Sequence, residues 1–192
     1  MNLYEIIPGY RDAVEREQSG RDSAFVVETE TLCGVEVLPF TARHYLLLDG
    51  CDSAFITGGL PTHADVARAL WVVSNGFRPG DTRARDKFLR SIRKLSYGPA
   101  AVAIREYIDA ALADSPAESG EGSPGYVSWV THYVDLLACE YHWSEREILN
   151  LPLRRLFQYV RRIQKRHNPH AIFIDQSDNV RAEWLRKQNP EN

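Results

Sequence analysis

Chemistry-bearing motifs are what this 192-residue chain has least of. There is no G-x-S-x-G, and the GSPG at 122–125 lacks the strand-turn-helix setting of a nucleophile elbow. Neither G-x-x-x-x-G-K nor G-x-G-x-x-G offers a phosphate cradle. The carboxylate pairs Glu15/Glu17 and Glu28/Glu30 lie on polar segments, with nothing in the sequence to raise either pKa. Cysteine is scarce: Cys33, Cys51 and Cys139 are odd in number and widely spaced, a poor disulfide framework that fits a reducing compartment. Long hydrophobic runs are missing too. The richest apolar stretch, YVSWVTHYVDLLACEY (126–141), is too short and too polar to span a bilayer, and MNLYEIIPGYRDAVEREQ carries no secretory n- or h-region. No internal repeat or sustained heptad run is present. These absences predict a non-enzymatic, cytosolic protein with no cofactor, no metal and no membrane segment.

What is present is an ordinary globular composition, 44% hydrophobic and 26% charged, with a net charge of −3. The whole chain is therefore not a polyanion binder, and any nucleic-acid footprint must be local. The expected fold class is mainly α, a multi-helix bundle with a small β-hairpin near residues 25–38. Residues 2–18 read as an amphipathic helix interrupted at Pro8-Gly9. In SAFVVETETLCGVEVLPF (23–40), β-branched residues flank a Cys33-Gly34 turn, predicting strands at about 25–32 and 35–38. Such a hairpin needs support from the helices. Thr41 caps ARHYLLLD, and Thr62 with Asp65 opens HADVARALWVVS, whose core face is Val66, Ala69, Leu70 and Val73. Asp81 caps the next helix, with an apolar stripe of Phe88, Leu89, Ile92 and Leu95. Six cations stand there between Arg83 and Lys94, against the two acids Asp81 and Asp86. Gly98 ends that helix and Pro99 begins an alanine-rich one running to about Asp114.

SPAESGEGSPG (115–125) reads as a linker between an N-terminal helical region, 1–114, and a C-terminal one, 126–192, or as a loop within one domain. Beyond it, Ser144-x-x-Glu147 is a capping box for a short helix, Pro152 opens a long helix to about residue 167, and Ser177 caps a final one. Metal binding has two weak candidates. His132, Cys139 and His142 share a helix stripe, but about 15 Å of rise separates the first from the last. His167 and His170 suit a helix C-terminus better than a metal ion. Trp71, Trp129, Trp143 and Trp184 sit beside aliphatic residues, as core or interface anchors do.

The long helix is the most unusual segment. Leu153, Leu156, Phe157, Val160 and Ile163 form one stripe; Arg154, Arg155, Arg161, Arg162, Lys165 and Arg166 fill the rest, with no acid from 153 to 167. A helix-turn-helix reader of DNA would use Arg154 and Arg155 in its first turn. Against that stand a Leu151-Pro152 corner in place of a glycine turn and charge spread along the whole helix. A soluble face that doubles as a protein-docking surface is the expected reading, with contact to nucleic acid as the alternative.

The order of features resembles small phage and prophage proteins encoded among tail genes. The resemblance is carried by LPFTARHYLLLDGCDSAFITGGLPTHADVARALWVVS (38–74), by YHWSEREILNLPLRRLFQYVRRI (141–163) and by SDNVRAEWLRKQN (177–189), about half of the chain. It is similar to tail assembly chaperones, which bind the tape-measure protein and help tail-tube subunits assemble around it. The resemblance implies a non-enzymatic protein of the host cytoplasm whose partner is a tape-measure or tail-tube protein, with self-association open. A completion or structural protein of the tail module is another role it leaves open. A chaperone for apolar helices needs aromatic and aliphatic anchors rimmed by charge, and Trp129, Tyr133, Trp143, Leu153, Phe157 and Trp184 are the candidates. The runner-up is a small DNA-binding or regulatory protein using helix 153–167.

Overall fold

The structure is a computed structural model and describes residues 3–26, 28–116, 128–170, 173 and 175–188. It is mainly helical, with eleven helices and one two-stranded sheet among the described residues. Pro8-Gly9 separates α1 (Leu3–Ile6) from α2 (Tyr10–Ser23), with Gly9 in the left-handed region at φ +75°. The hairpin is shorter than the sequence suggests: β1 (Glu30–Leu32) pairs antiparallel with β2 (Val35–Val37), Leu32 opposite Val35. Both turn residues, Cys33 and Gly34, have positive φ, as a two-residue turn matched to the strand twist requires. The hairpin is not left to itself. The Leu38 N–H donates to the Val73 carbonyl (2.9 Å) and the Asn75 N–H to the Glu36 carbonyl (3.1 Å), tying β2 to the end of α5 (His63–Val73).

Side-chain capping sets four of the helix starts. Thr41 caps α3 (Ala42–Asp49) and Thr62 caps α5, both as capping boxes; Ser53 precedes the single turn of α4 (Ala54–Thr57). Asp81 accepts the Ala84 N–H at 2.9 Å and starts α6 (Thr82–Ser91). That helix is shorter than expected, and Gly98-Pro99 falls inside the first turn of α7 (Tyr97–Leu112), where proline's missing N–H costs nothing. Phe88, Ile92 and Leu95 still pack on the core, whereas Leu89 is 37% exposed. The remaining helices are α8 (Trp129–Tyr141), α9 (Glu145–Leu149, capped by the Ser144/Glu147 box), α10 (Leu153–His167) and α11 (Gln176–Gln188). Ser177 is therefore inside the first turn of α11 and does not cap it; its hydroxyl donates to Glu17 Oε2 at 2.9 Å.

Helix α10 is central. Its whole predicted stripe is buried, Leu153, Phe157 and Val160 at 0% exposure, and it packs against α2, α7 and α8. Its first N–H groups need acceptors, and the Phe40 carbonyl takes the Leu153 N–H at 2.8 Å. The 38–41 segment is thus held from two sides, and the Tyr107 hydroxyl donates to the Leu38 carbonyl between them. One apolar cluster draws residues from both sides of 115–125, including Leu70, Ile104 and Ile108 before it and Leu137, Ile148 and Phe157 after it. Residues 117–125 of the linker expectation lie outside the described residues; Pro116 is buried and its carbonyl accepts from the Tyr133 hydroxyl at 3.3 Å. No helix among the described residues is long and apolar enough to cross a membrane.

Candidate protein-binding surface

The cationic side of α10 does not simply face water. Arg154 pairs with Asp114 at the end of α7 (3.3 Å), and Arg161 pairs with Asp175 (2.5 Å). Arg155 donates to the carbonyls of Ala24 (3.3 Å) and Phe25 (2.7 Å) and lies over the Phe25 ring. Arg166 pairs with Glu140 at 3.0 Å, and Lys165 donates to the Pro169 carbonyl at 3.2 Å. Arg162 is exposed. Four of the six basic residues, Arg154, Arg155, Arg161 and Arg166, thus tie α10 to other segments, so the soluble-face expectation is left to Arg162 and Lys165. Arg21 of α2 completes the network, meeting Glu17 (3.2 Å), Asp114 (3.6 Å) and Asp175 (2.7 Å).

A glycine makes the network geometrically feasible. Gly20 lies in the middle of α2, where glycine costs about 1 kcal/mol relative to alanine. An added Cβ would stand 2.3 Å from Arg154 Nη2, too close to keep the guanidinium in place. Gly20→Ala is therefore expected to displace Arg154 from Asp114 and to forgo the usual gain of about 1 kcal/mol, read by thermal unfolding. A full gain would show that the Arg154 contact contributes nothing.

The predicted anchors divide into two groups. Leu153 and Phe157 are at 0% exposure and Tyr133 at 6%; they are core residues and present no surface to a partner in this structure. Trp129 is half-buried within the same aromatic packing, 4.8 Å from Tyr45 and 5.9 Å from Phe157. Trp184 is half-buried on α11, the helix that packs on α2. Trp143 differs, because it belongs to a partly open aromatic wall. Its ring stacks on Tyr141 (4.9 Å) and meets the edge of Tyr159 (5.0 Å), which in turn meets Phe25 (6.0 Å, T-shaped). Phe25 is 43% exposed. Arginines sit on two of these rings, Arg155 over Phe25 at 5.0 Å and Arg166 over Tyr141 at 5.5 Å.

Beside this wall opens a cleft of about 540 Å³ lined by Phe25, Leu38, Thr41, His44, Pro152 and Arg155, among others. Two chain segments far apart in sequence meet there, because the Thr41 and Pro152 strands of backbone pair as an isolated bridge. His44 is 6% exposed: its Nδ1 accepts the Thr41 N–H at 3.3 Å, while its own N–H donates to Thr41 Oγ1 at 3.2 Å. Burial, with the nearby Arg43 charge, holds its pKa down at about 4, so the ring is neutral near pH 7. Phe25, Tyr141 and Tyr159 are the wall residues sequence reasoning missed. Phe25 reads as part of a strand, and Tyr159 falls outside the buried stripe of α10. The one available signal was the repeated neighbourhood of aromatic and arginine residues at both places.

The metal candidates are not assembled. His132, Cys139 and His142 are all exposed, His167 hydrogen-bonds Glu140 at 2.8 Å, and no group of three or more potential ligands is placed for a metal among the described residues. No family model matches the chain, and neither a curated protein nor a solved structure matches it.

Proposed function

We propose that the protein is a phage tail-assembly protein, a non-enzymatic chaperone of the host cytoplasm that holds an apolar helical segment of the tape-measure or tail-tube protein. The observation that carries the reading is the aromatic wall of Phe25, Tyr141, Trp143 and Tyr159, partly open, edged by Arg155 and Arg166, and set beside an open cleft. Aromatic and arginine residues dominate the energetics of protein interfaces, because they bury large areas and still offer polar contact. The resemblance of 38–74 and 141–163 to tail chaperones joins the two segments that frame this cleft.

Reading DNA with helix 153–167 gains no support from the geometry. Arg154 and Arg155, the first-turn residues that would reach base edges, are committed to Asp114 and to the carbonyls of residues 24 and 25.

Co-expression with the neighbouring tail-gene products is the test, with the copurifying species identified at moderate salt. The tape-measure or tube protein is expected in stoichiometric amount. Phe25→Ala and Trp143→Ala are each expected to weaken the complex about tenfold or more, as truncating an interface anchor does. The exposed Phe25 variant should melt within a few degrees of the parent. Recovery of DNA alone, released by salt, overturns the reading.

A further inference from the structure

The two edges of the hairpin are not alike. With a two-residue turn at Cys33-Gly34, Leu32 with Val35 and Glu30 with Val37 are hydrogen-bonded pairs. Thr31 and Glu36, between them, turn their N–H and carbonyl groups outward. On the β2 side that outward edge is closed, because the Glu36 carbonyl accepts the Asn75 N–H and Val37 bridges Ser74. On the β1 side it is open. Thr31 is exposed, and among the described residues its outward N–H and carbonyl have no partner.

Beside this open edge lies a hollow of about 330 Å³. All three residues of β1 line it, facing Ala103, Glu106, Tyr107 and Ala110 of α7. Its base is apolar, since Leu32, Phe40 and Ala111 are all buried. Glu30 and Glu106 stand at its rim, both exposed and, among the described residues, without a hydrogen-bond or ion-pair partner. Arg154, the one cation among the described lining residues, is committed to Asp114. The Tyr107 hydroxyl is held by the Leu38 carbonyl; burial first, and the Glu30 charge second, push its pKa well up. The hollow thus combines an apolar base, a rim of unneutralised negative charge and an unpaired backbone edge.

We propose that β1 and α7 form a docking groove for an extended segment of a partner protein, which adds as a strand to β1 and carries an apolar and a basic residue two positions apart. In strand addition the open edge pairs with main chain while alternate side chains enter pockets. Thr31 offers one N–H and one carbonyl, so the main chain supplies two hydrogen bonds and the hollow must supply the rest. Leu32 and Glu30 lie on one face of β1, so partner residues opposite them point to that same face. The residue opposite Leu32 meets the apolar base. The one opposite Glu30 meets the carboxylates, and charge complementarity makes it lysine or arginine. A helix, the occupant proposed for the aromatic cleft, has its N–H and carbonyl groups bonded internally and cannot pair with Thr31. Pro39 and Pro152 line both hollows, but none of the four residues of the aromatic wall lines this one.

Fluorescence anisotropy on the full chain tests this with a labelled peptide of about eight residues, valine alternating with threonine and one valine replaced by lysine. The peptide is expected to bind the parent and to bind E30K/E106K about tenfold or more weakly. A copy N-methylated along its centre, unable to donate to the edge, is expected to bind severalfold more weakly, and Thr31→Pro should weaken the unmethylated peptide by a similar factor. Proline is tolerated at that edge position because its N–H lies outside the ladder, so melting should stay within a few degrees of the parent. Failure of the peptide to bind overturns the proposal, as does an affinity unchanged by N-methylation or by the charge reversal. So does displacement of the peptide by an equal concentration of free lysine amide, which would make the hollow a small-molecule site. Phe25→Ala and Trp143→Ala lie outside the groove and should leave peptide affinity unchanged, so loss of the cleft function and loss of this groove are read separately.

Discussion

Phe157→Ala is expected to lower the stability of the fold by about 3–5 kcal/mol, the cost of truncating a wholly buried phenylalanine. The reason lies in where α10 runs. Phe157 is at 0% exposure with Trp129 at 5.9 Å and Tyr133 at 6.1 Å, in an apolar cluster to which α7, α8 and α10 all contribute. Removing the ring leaves a cavity bounded by helix backbones that are fixed elsewhere: the start of α10 by Phe40 and its cationic side by Asp114 and Asp175. The site therefore collapses poorly, and the cavity term adds to the transfer term. For a chain of this size the melting temperature should fall by about 10 °C, read by calorimetry or circular dichroism. Phe25→Ala is the control: removing an exposed ring should leave melting nearly unchanged while weakening partner capture. Loss below about 1 kcal/mol for Phe157→Ala would show that the ring is not a core residue and would return it to the set of contact candidates.

Acid is the second large effect expected, and it should act through His44. Its pKa is held at about 4 in the fold, against 6.5 when unperturbed, first by burial and second by the Arg43 charge. The sign follows from proton counting. Below pH 6.5 the unfolded chain takes up a proton that the folded chain refuses, so stability is at its full value above that pH and is lost as pH falls toward about 4. The full loss is on the order of 3 kcal/mol at 1.36 kcal/mol per pH unit. A structural event goes with it: protonation at Nδ1 turns the acceptor of the Thr41 N–H into a donor and breaks one half of the α3 capping box. Because His44 also lines the cleft, partner binding should weaken over the same interval. His44→Gln should flatten the stability profile between pH 6.5 and 4, measured by denaturant unfolding at each pH. A profile as steep as the parent's would assign the acid sensitivity to other groups.

Much of the local architecture was legible from residues three or four positions apart. The boxes at Thr62/Asp65 and Ser144/Glu147 and the cap at Asp81 close hydrogen bonds within one turn, so spacing alone identifies them. The buried stripe of α10 was legible for the same reason, since a period of 3.6 places its five apolar residues on one side. Boundaries were less so: the strands are shorter than their β-branched runs, and α7 begins before Pro99 because the first turn of a helix tolerates proline.

The sequence by itself determined the helical class, the hairpin turn, most of the caps and the apolar side of each long helix, because those depend on neighbours along the chain. Only the tertiary structure decided what the polar side of α10 does. Periodicity separates a charged face from an apolar one, but water and an opposing carboxylate satisfy an arginine equally well in a helical wheel. Arg154 finds Asp114 forty residues away and Arg155 finds Ala24 at a separation of 131, contacts that no local pattern encodes. The same holds for the aromatic wall. Whether Trp143, Tyr159 and Phe25 are core or surface depends on how α2, α8 and α10 meet, and that meeting is set by the non-local packing of the whole cluster.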